Sequence, residues 1–155
     1  MKKEILKGVS MLTLLVGIAF ATAVVSANAQ STNKLVISNV PFEFVVGDQT
    51  MPAGEYRIRS ASAFGNGLII QRADAKSSAM RLTNSIEPSR SKTNARLVFH
   101  RYGSHYFLAE VWSGGENEGR ALTKSRQERA TESELAMLTK TNRDYAVVEI
   151  AAVVR

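Results

Sequence analysis

The sequence predicts a mainly β fold: a single antiparallel β-sandwich or small β-barrel of about eight strands with one late helix. From Lys34 onward, apolar and polar residues alternate over short runs, as they do in half-buried strands. Turn residues interrupt these runs about every 8 to 12 residues. Helical segments do not alternate with the strands, so a parallel nucleotide-binding sheet is not expected.

The first part of the predicted sheet contains five short strands. Pro41 separates the first two, because proline has no amide hydrogen to donate to a strand ladder. In the second strand, the alternation places Phe42, Phe44 and Val46 on one face. The five predicted strands span residues 35–37, 42–46, 56–59, 68–71 and 79–83.

The clearest hairpin has Gly103-Ser104 as its loop, with the glycine first, as a type II′ turn favours. This loop pairs Tyr102 with His105 and His100 with Phe107, so both imidazoles are expected on one face. A four-residue loop would keep the pairing but move Tyr102 and His105 into the turn. The two strands span residues 96–102 and 105–112, and exposed loops are predicted at 87–94 and 113–119.

Only one segment has the features of a helix, residues 126–140, which contain no glycine or proline. Leu135 and Leu138 give it a narrow apolar stripe, with Ala130 and Met137 nearby. Two pairs match the capping box, in which a hydroxyl and a carboxyl three residues apart bind the free amides of a first turn. These pairs are Ser125 with Glu128 and Thr131 with Glu134.

The C-terminal run, residues 144–154, is almost continuously apolar and is expected to be a central strand.

Residues 1–29 have the pattern of a signal peptide. Three lysines precede an uncharged apolar run at 9–25, and Ala27-Asn28-Ala29 gives the small residues that signal peptidase requires. The alternative is an uncleaved transmembrane anchor, although 17 residues with internal polar positions are at the lower limit for crossing a bilayer. Residues 30–155 are therefore expected to form an exported β-rich domain, periplasmic, extracellular or envelope-associated. Membrane contact is expected only through the leader before cleavage.

Composition excludes several classes of protein. The chain has no cysteine, so it is not a disulfide-stapled secreted domain and must depend on a packed core. Residues 30–155 carry 17 Lys and Arg against 13 Asp and Glu, a net charge of +4. The arginines are dispersed, which disfavours nucleic acid as a partner. Arg57 and Arg59 are interpreted as a solvated strand face, with anionic envelope polymers or lipid headgroups as the alternative partners.

No catalytic motif is present. There is no nucleophile elbow, zinc-binding helix, phosphate loop or dinucleotide fingerprint. A zinc site needs three or four protein ligands, and spacing marks no third ligand beside His100 and His105. The sequence therefore predicts no metal, no cofactor and no enzyme activity. A hydrolase would require one of these histidines beside a carboxylate and a nucleophile in a cleft.

Four groups of residues, in this order and spacing, carry a resemblance to a known family. They are Pro41-Phe42-Glu43-Phe44-Val45-Val46-Gly47, Pro52-Ala53-Gly54-Glu55-Tyr56-Arg57, Arg96-Leu97-Val98-Phe99-His100-Arg101-Tyr102-Gly103, and Tyr106-Phe107 with Val111-Trp112. The chain resembles, over residues 36–129, a family of short exported bacterial proteins of unassigned function. The resemblance implies a signal peptide, a compact β-rich domain and no catalytic residue.

Export, the barrel-like pattern and the missing catalytic motifs predict a non-enzymatic domain that binds a small ligand or an envelope component. A small apolar ligand would occupy an interior or mouth lined by aromatic residues and one histidine. The candidate ligand-binding residues are Phe44, Tyr56, Phe99, His100, Tyr106 and Trp112. The alternative is a structural or adhesion protein of the envelope that joins its partners through sheet edges.

Overall fold

The structure, a computed structural model, describes residues 34–61, 66–87, 94–115, 119–139 and 145–155. All of them belong to one compact unit, Asn33–Arg155. The predicted signal peptide and its cleavage pattern lie outside the described residues, as do residues 88–93 and 116–118 of the two predicted loops. Within the described ranges, no helix has the length and apolar character needed to cross a membrane.

The described residues form eleven strands and one helix, so the prediction of a mainly β fold with one late helix is confirmed. The strands are β1 Val36–Val40, β2 Phe44–Val46, β3 Gln49–Met51, β4 Gly54–Ser60, β5 Gly67–Arg72, β6 Ser78–Ile86, β7 Arg96–Tyr102, β8 His105–Trp112, β9 Gly119–Leu122, β10 Ala146–Ala151 and β11 Val153–Val154. The helix, α1, spans Arg126–Thr139.

The predicted number of strands was too low, because β3 and β9 were missed and the last predicted strand is divided in two. In β3 only Met51 is buried, so the strand has no alternating apolar pattern to reveal it. β9 begins with Gly119, directly after a glycine-rich stretch that predicts a loop. Both strands exist because neighbouring strands pair with them, which local sequence does not encode.

The strands form one open, mixed sheet in the order β10-β7-β8-β9-β6-β5-β4-β1-β11. β2 lies off this path, pairing with β3 and, in parallel, with β8 at Val45 and Phe107. The prediction of a wholly antiparallel fold is therefore wrong at β2. All three residues of β2 are buried, so protein covers both of its faces, as is typical of strands with parallel neighbours.

The C-terminal run is not a central strand, contrary to the prediction. Around Ala152 it is divided into β10, which pairs with β7, and β11, which pairs with β1, at the two ends of the sheet path. Val147 is 57% exposed and Val153 is 64% exposed. An apolar run indicates a strand, but it does not specify how many neighbours cover that strand.

Two clusters of apolar side chains stabilise the fold. The main core contains Phe44 and Val46, which the sequence placed on one face of their strand, and Phe42 of the same predicted face packs against it. Its other buried members are Val36, Val40, Met51, Tyr56, Ile58, Leu68, Ile70, Ala79, Leu97, Phe99, Leu108 and Val111. The second cluster consists of Val45, Tyr102 and Phe107, against which Leu135 of α1 and Tyr145 pack.

The predicted hairpin register is confirmed. Tyr102 pairs with His105 and His100 pairs with Phe107. Gly103 has φ of 58°, the left-handed conformation that the first position of a type II′ turn requires. Farther along, Val98 pairs with Glu110 but Phe99 pairs with Leu108, so a bulge accommodates one extra residue of β8.

Candidate functional site

The six predicted ligand-binding residues do not form one site. Phe44, Tyr56 and Phe99 lie in the main core, each at most 1% exposed. The Phe44 ring lies 5.0 Å from that of Tyr56 and 5.2 Å from that of Phe99, in edge-to-face geometry. Phe42 links Tyr106 to this group, with ring centroids 3.9 Å apart. These four predicted residues are together, and their rings contact aromatic neighbours of the protein itself.

Trp112 is surrounded by other groups. Its indole Nε1 donates a hydrogen bond to Glu110 Oε2 at 2.8 Å. The Arg96 guanidinium lies 4.6 Å from the ring centroid, within the range of a cation–π contact. A Cβ on Gly119 would lie 2.7 Å from the ring, so only glycine allows β9 to approach this closely. The indole is 4% exposed.

His100, a residue of β7, lies apart from both groups, and its imidazole faces the start of α1. Its Nδ1 lies 2.8 Å from Glu128 Oε1, and a proton on that nitrogen is donated to the carboxylate. The Tyr102 hydroxyl donates to the same oxygen at 3.3 Å. The Tyr145 ring lies 4.2 Å from the imidazole. These residues, with Lys124 and Glu132, are called the helix–sheet cluster below.

The N-cap at Ser125 positions the carboxylate of this cluster. Among the described residues only half of the predicted capping box forms, because the Glu128 side chain bonds His100 and Tyr102 and not the Ser125 amide. The Glu128 amide donates to Ser125 Oγ at 3.0 Å, so Ser125 is the N-cap of α1, as predicted. This cap brings Glu128 against the sheet, where its side chain is 6% exposed. The second predicted box lies inside the helix, where Thr131 Oγ1 donates to the Gln127 carbonyl at 3.0 Å.

Lys124 extends the helix–sheet cluster toward the next turn of α1. Its Nζ lies 2.7 Å from Glu132 Oε1 and 5.3 Å from the Tyr145 ring centroid. Burial opposes the charge on Lys124, but hydrogen bonds to Glu132 and Tyr102 outweigh it and raise the pKa of this ammonium group. Burial raises the pKa of the Tyr102 hydroxyl to about 12. At neutral pH the cluster therefore holds a protonated tyrosine and a charged lysine.

The helix–sheet cluster meets one requirement of the hydrolase alternative, a histidine beside a carboxylate. The imidazole also lies against the rings of Tyr102 and Tyr145. In the part of the chain that the structure describes, no three His, Cys, Asp or Glu side chains are grouped to hold a metal ion. The arrangement joins the helix to the sheet, because it satisfies a buried carboxylate with two donors from β7.

A surface on the outside of the sheet combines exposed apolar and cationic side chains. Met80, Leu82 and Val153 are 62%, 76% and 64% exposed. Arg57 and Arg59, which the sequence indicated as solvated, are exposed on β4, which β5 separates from β6 and β1 separates from β11. We define the outer face by Ile37, Arg57, Arg59, Ile69, Met80, Leu82 and Val153.

Strand register places these residues together. Arg57 pairs with Ile37, which in turn pairs with Val153 of β11. Arg59 pairs with Ile69, which pairs with Met80 of β6. Directly opposed residues share a face, so two rows of side chains run across the outer face.

The exposure of Met80 and Leu82 on this surface is not predicted by the sequence. Alternation along β6 places Met80 and Leu82 on one face and Arg81 and Thr83 on the other, and the second face points inward, where Thr83 is buried. Arg81 donates to the Val46 carbonyl through Nε and Nη2, at 3.3 and 3.2 Å. When apolar and polar residues alternate along a strand, the apolar face is normally the buried one. No local feature of the β6 sequence indicates that its apolar face is exposed.

No protein-family profile, curated protein or solved structure matches this chain.

Proposed function

We propose that this protein is an exported, non-enzymatic β-domain of the periplasm or cell envelope, which binds an envelope component through the outer face. The observation that carries the proposal is the exposure of Met80, Leu82 and Val153 beside Arg57 and Arg59. Large apolar side chains grouped on a surface indicate an interaction site, whereas single ones need no explanation. The two arginines favour anionic partners at that site.

The interior and the helix–sheet cluster support this choice among the predicted functions. Phe44, Tyr56 and Phe99 pack against one another, so they already have the apolar contacts that a small ligand would otherwise provide. Glu128 is committed to His100 and Tyr102, which favours a structural role over hydrolysis. A small apolar ligand and a hydrolase are therefore the less favoured alternatives.

We propose that the strands of the sheet form a barrel. β10 and β11 are consecutive parts of one segment, and only Ala152 lies between them. Ser38 Oγ of β1 donates to the Ala151 carbonyl at 2.9 Å, and the Ala152 amide donates to the Ala95 carbonyl at 3.0 Å. The C-terminal segment thus contacts both ends of the strand path, which supports closure into a barrel. In such a barrel the core side chains fill the inner face, and the outer face is available to partners.

The proposed export depends on residues 1–29. The proposed family membership depends on the segments that carry the resemblance. The lysines before residues 9–25 and the small residues at 27–29 favour export with cleavage after Ala29. The residues that carry the family resemblance, among them Phe44, Tyr56 and Phe99, form much of the main core. Their spacing is accordingly explained by packing, without a catalytic role.

The experiment is fractionation of bacteria that express the full chain, with the N-terminus determined by mass spectrometry. We expect the processed protein in the envelope fraction and a shift toward the soluble fraction for the double variant Met80→Ser/Leu82→Ser. Met137→Ser is the matched control, because Met137 is 82% exposed on α1 and lies outside the outer face.

Equal distributions of the double variant and the wild type would contradict a role for the outer face. Native mass spectrometry of the soluble wild type would show a bound mass if the small-ligand alternative were correct. Large homo-oligomers that dissociate when sheet edges are altered would favour the structural or adhesion alternative.

A further inference from the structure

We infer that the envelope component is an anionic phospholipid bilayer, which the outer face contacts at the level of the headgroups, in contrast to the expectation from the sequence that only the leader contacts a membrane. The inference rests on the proposed function and names the partner. Its basis is the mixture of side chains on one face: Arg57 and Arg59 lie between Val153 on one side and Met80 on the other. An apolar group beside a cation is the pattern that interfacial membrane binding requires.

The charges on the outer face are available to a partner. Among the described residues, neither Arg57 nor Arg59 takes part in an ion pair. Glu55 is the acidic residue of the same strand face, and it lies at the start of β4, beyond Arg57. Near that end, Arg72 and Asp74 neutralise each other at 3.1 Å. The surplus positive charge therefore lies at Arg57 and Arg59, beside the apolar residues.

The exposed apolar side chains distinguish a bilayer from a soluble anionic polymer. A polysaccharide or nucleic acid would use Arg57 and Arg59, but its backbone has no acyl region for Met80 and Leu82. At a bilayer, those side chains enter the boundary between headgroups and acyl chains while guanidinium groups bind phosphate. Each arginine near an anionic surface strengthens binding about fivefold, so the contact is weak and reversible.

The test is co-sedimentation of the exported, purified protein with vesicles. We expect binding to vesicles of phosphatidylglycerol mixed with phosphatidylcholine, and at least about tenfold weaker binding to phosphatidylcholine alone. Arg57→Gln/Arg59→Gln should weaken binding about 25-fold, from two fivefold steps. Arg126→Gln/Arg129→Gln is the control, because it removes the same charge from two exposed residues of α1. Raising the salt concentration should weaken binding by the wild type and by this control.

A label shows which surface touches the lipid. Because the chain has no cysteine, Leu82→Cys and Met137→Cys each introduce one labelling site for an environment-sensitive fluorophore. We expect a blue shift on anionic vesicles at position 82 and none at position 137. The comparison holds whether or not the leader is retained, since both variants share it.

Equal blue shifts at the two positions, or equal loss of binding in the two arginine double variants, would overturn the inference. Absence of vesicle binding, combined with an envelope fractionation that still depends on Met80 and Leu82, would reject a lipid partner and leave the proposed function intact. Absence of vesicle binding together with an envelope fractionation that does not depend on Met80 and Leu82 would reject both the lipid partner and the proposed function. Vesicle binding that disappears in Met80→Ser/Leu82→Ser, with folding unchanged by circular dichroism, would support both.

Discussion

Replacement of Glu128 by alanine is expected to destabilise the folded domain by about 2 to 4 kcal/mol. The carboxylate is buried, with 6% of the side chain exposed, and it accepts hydrogen bonds from two residues of β7. It also lies in the first turn of α1, where a negative charge is favourable. Alanine removes all three interactions and leaves the His100 imidazole beside an unfilled space.

The magnitude follows from the contacts. A hydrogen bond to a charged group contributes about 1.5 to 3 kcal/mol, and a first-turn carboxylate adds about 0.3 to 1 kcal/mol. The charged Lys124 can only donate to the Tyr102 oxygen, so the Tyr102 hydroxyl proton also loses its acceptor. Glu128→Gln retains an acceptor of the same size but no charge, and a smaller loss of about 1 to 2 kcal/mol is expected.

The assay is urea unfolding at constant neutral pH, followed by circular dichroism and by the fluorescence of Trp112. Glu134→Ala is the control, because Glu134 is exposed on the same helix and its replacement should change stability by at most about 0.5 kcal/mol. A double-mutant cycle with His100→Ala should give a coupling energy of about 1 to 2 kcal/mol. If Glu128→Ala were no more harmful than Glu134→Ala, or the coupling were zero, the helix–sheet cluster would not hold α1 to the sheet.

Two further predictions concern Tyr102 and Gly119. The folded state holds the Tyr102 proton up to a pKa of about 12, against 10.0 for an ordinary tyrosine, so its stabilising contribution is complete below pH 10 and is lost as the pH rises toward 12. This loss is roughly 2 to 3 kcal/mol, and Tyr102→Phe should remove it while leaving the dependence due to Tyr56 and Lys124, whose pKa values are also raised. If the urea midpoints of the two proteins fell equally between pH 10 and pH 12, the assignment would be contradicted. Gly119→Ala places a Cβ 2.7 Å from the Trp112 ring, and we expect a loss of about 1 to 3 kcal/mol together with a shift of tryptophan emission. Unchanged emission and stability would show that β9 does not approach the indole so closely.

Local signals in the sequence predicted the elements that local interactions determine. The cap at Ser125, the turn at Gly103 and the register of the hairpin are set by residues within a few positions of one another, and all three are confirmed. The hairpin register also predicted that His100 and Tyr102 would share a face. The sequence does not reveal that Glu128 bonds these residues, because Glu128 is 28 positions from His100. A role in capping the helix also accounted for a glutamate at this position.

The position of the C-terminal segment in the sheet likewise could not be predicted from local sequence. Its apolar run correctly indicated strand, but whether a strand is central or lies at an end depends on its neighbours. β10 pairs with β7 and β11 pairs with β1, so each half has one partner. The chain changes partners at Ala152, whose amide donates to the Ala95 carbonyl, a contact 57 positions away that no local pattern encodes.

The outer face exists because of which side of β6 points inward, and this choice has a physical reason. A shift of one residue would bury Met80 and Leu82 and expose Arg81 and Thr83, which hydrophobicity alone would favour. The observed register buries Ala79 against the main core and lets Arg81 donate twice to the Val46 carbonyl. These contacts offset only part of the burial that Met80 and Leu82 would give, about 1.5 to 3 kcal/mol for each side chain, and among the described residues the Thr83 hydroxyl is buried without a hydrogen-bond partner. Exposing apolar side chains to water is costly, so a register that keeps them outside, beside two arginines, is expected where a face serves binding and not stability.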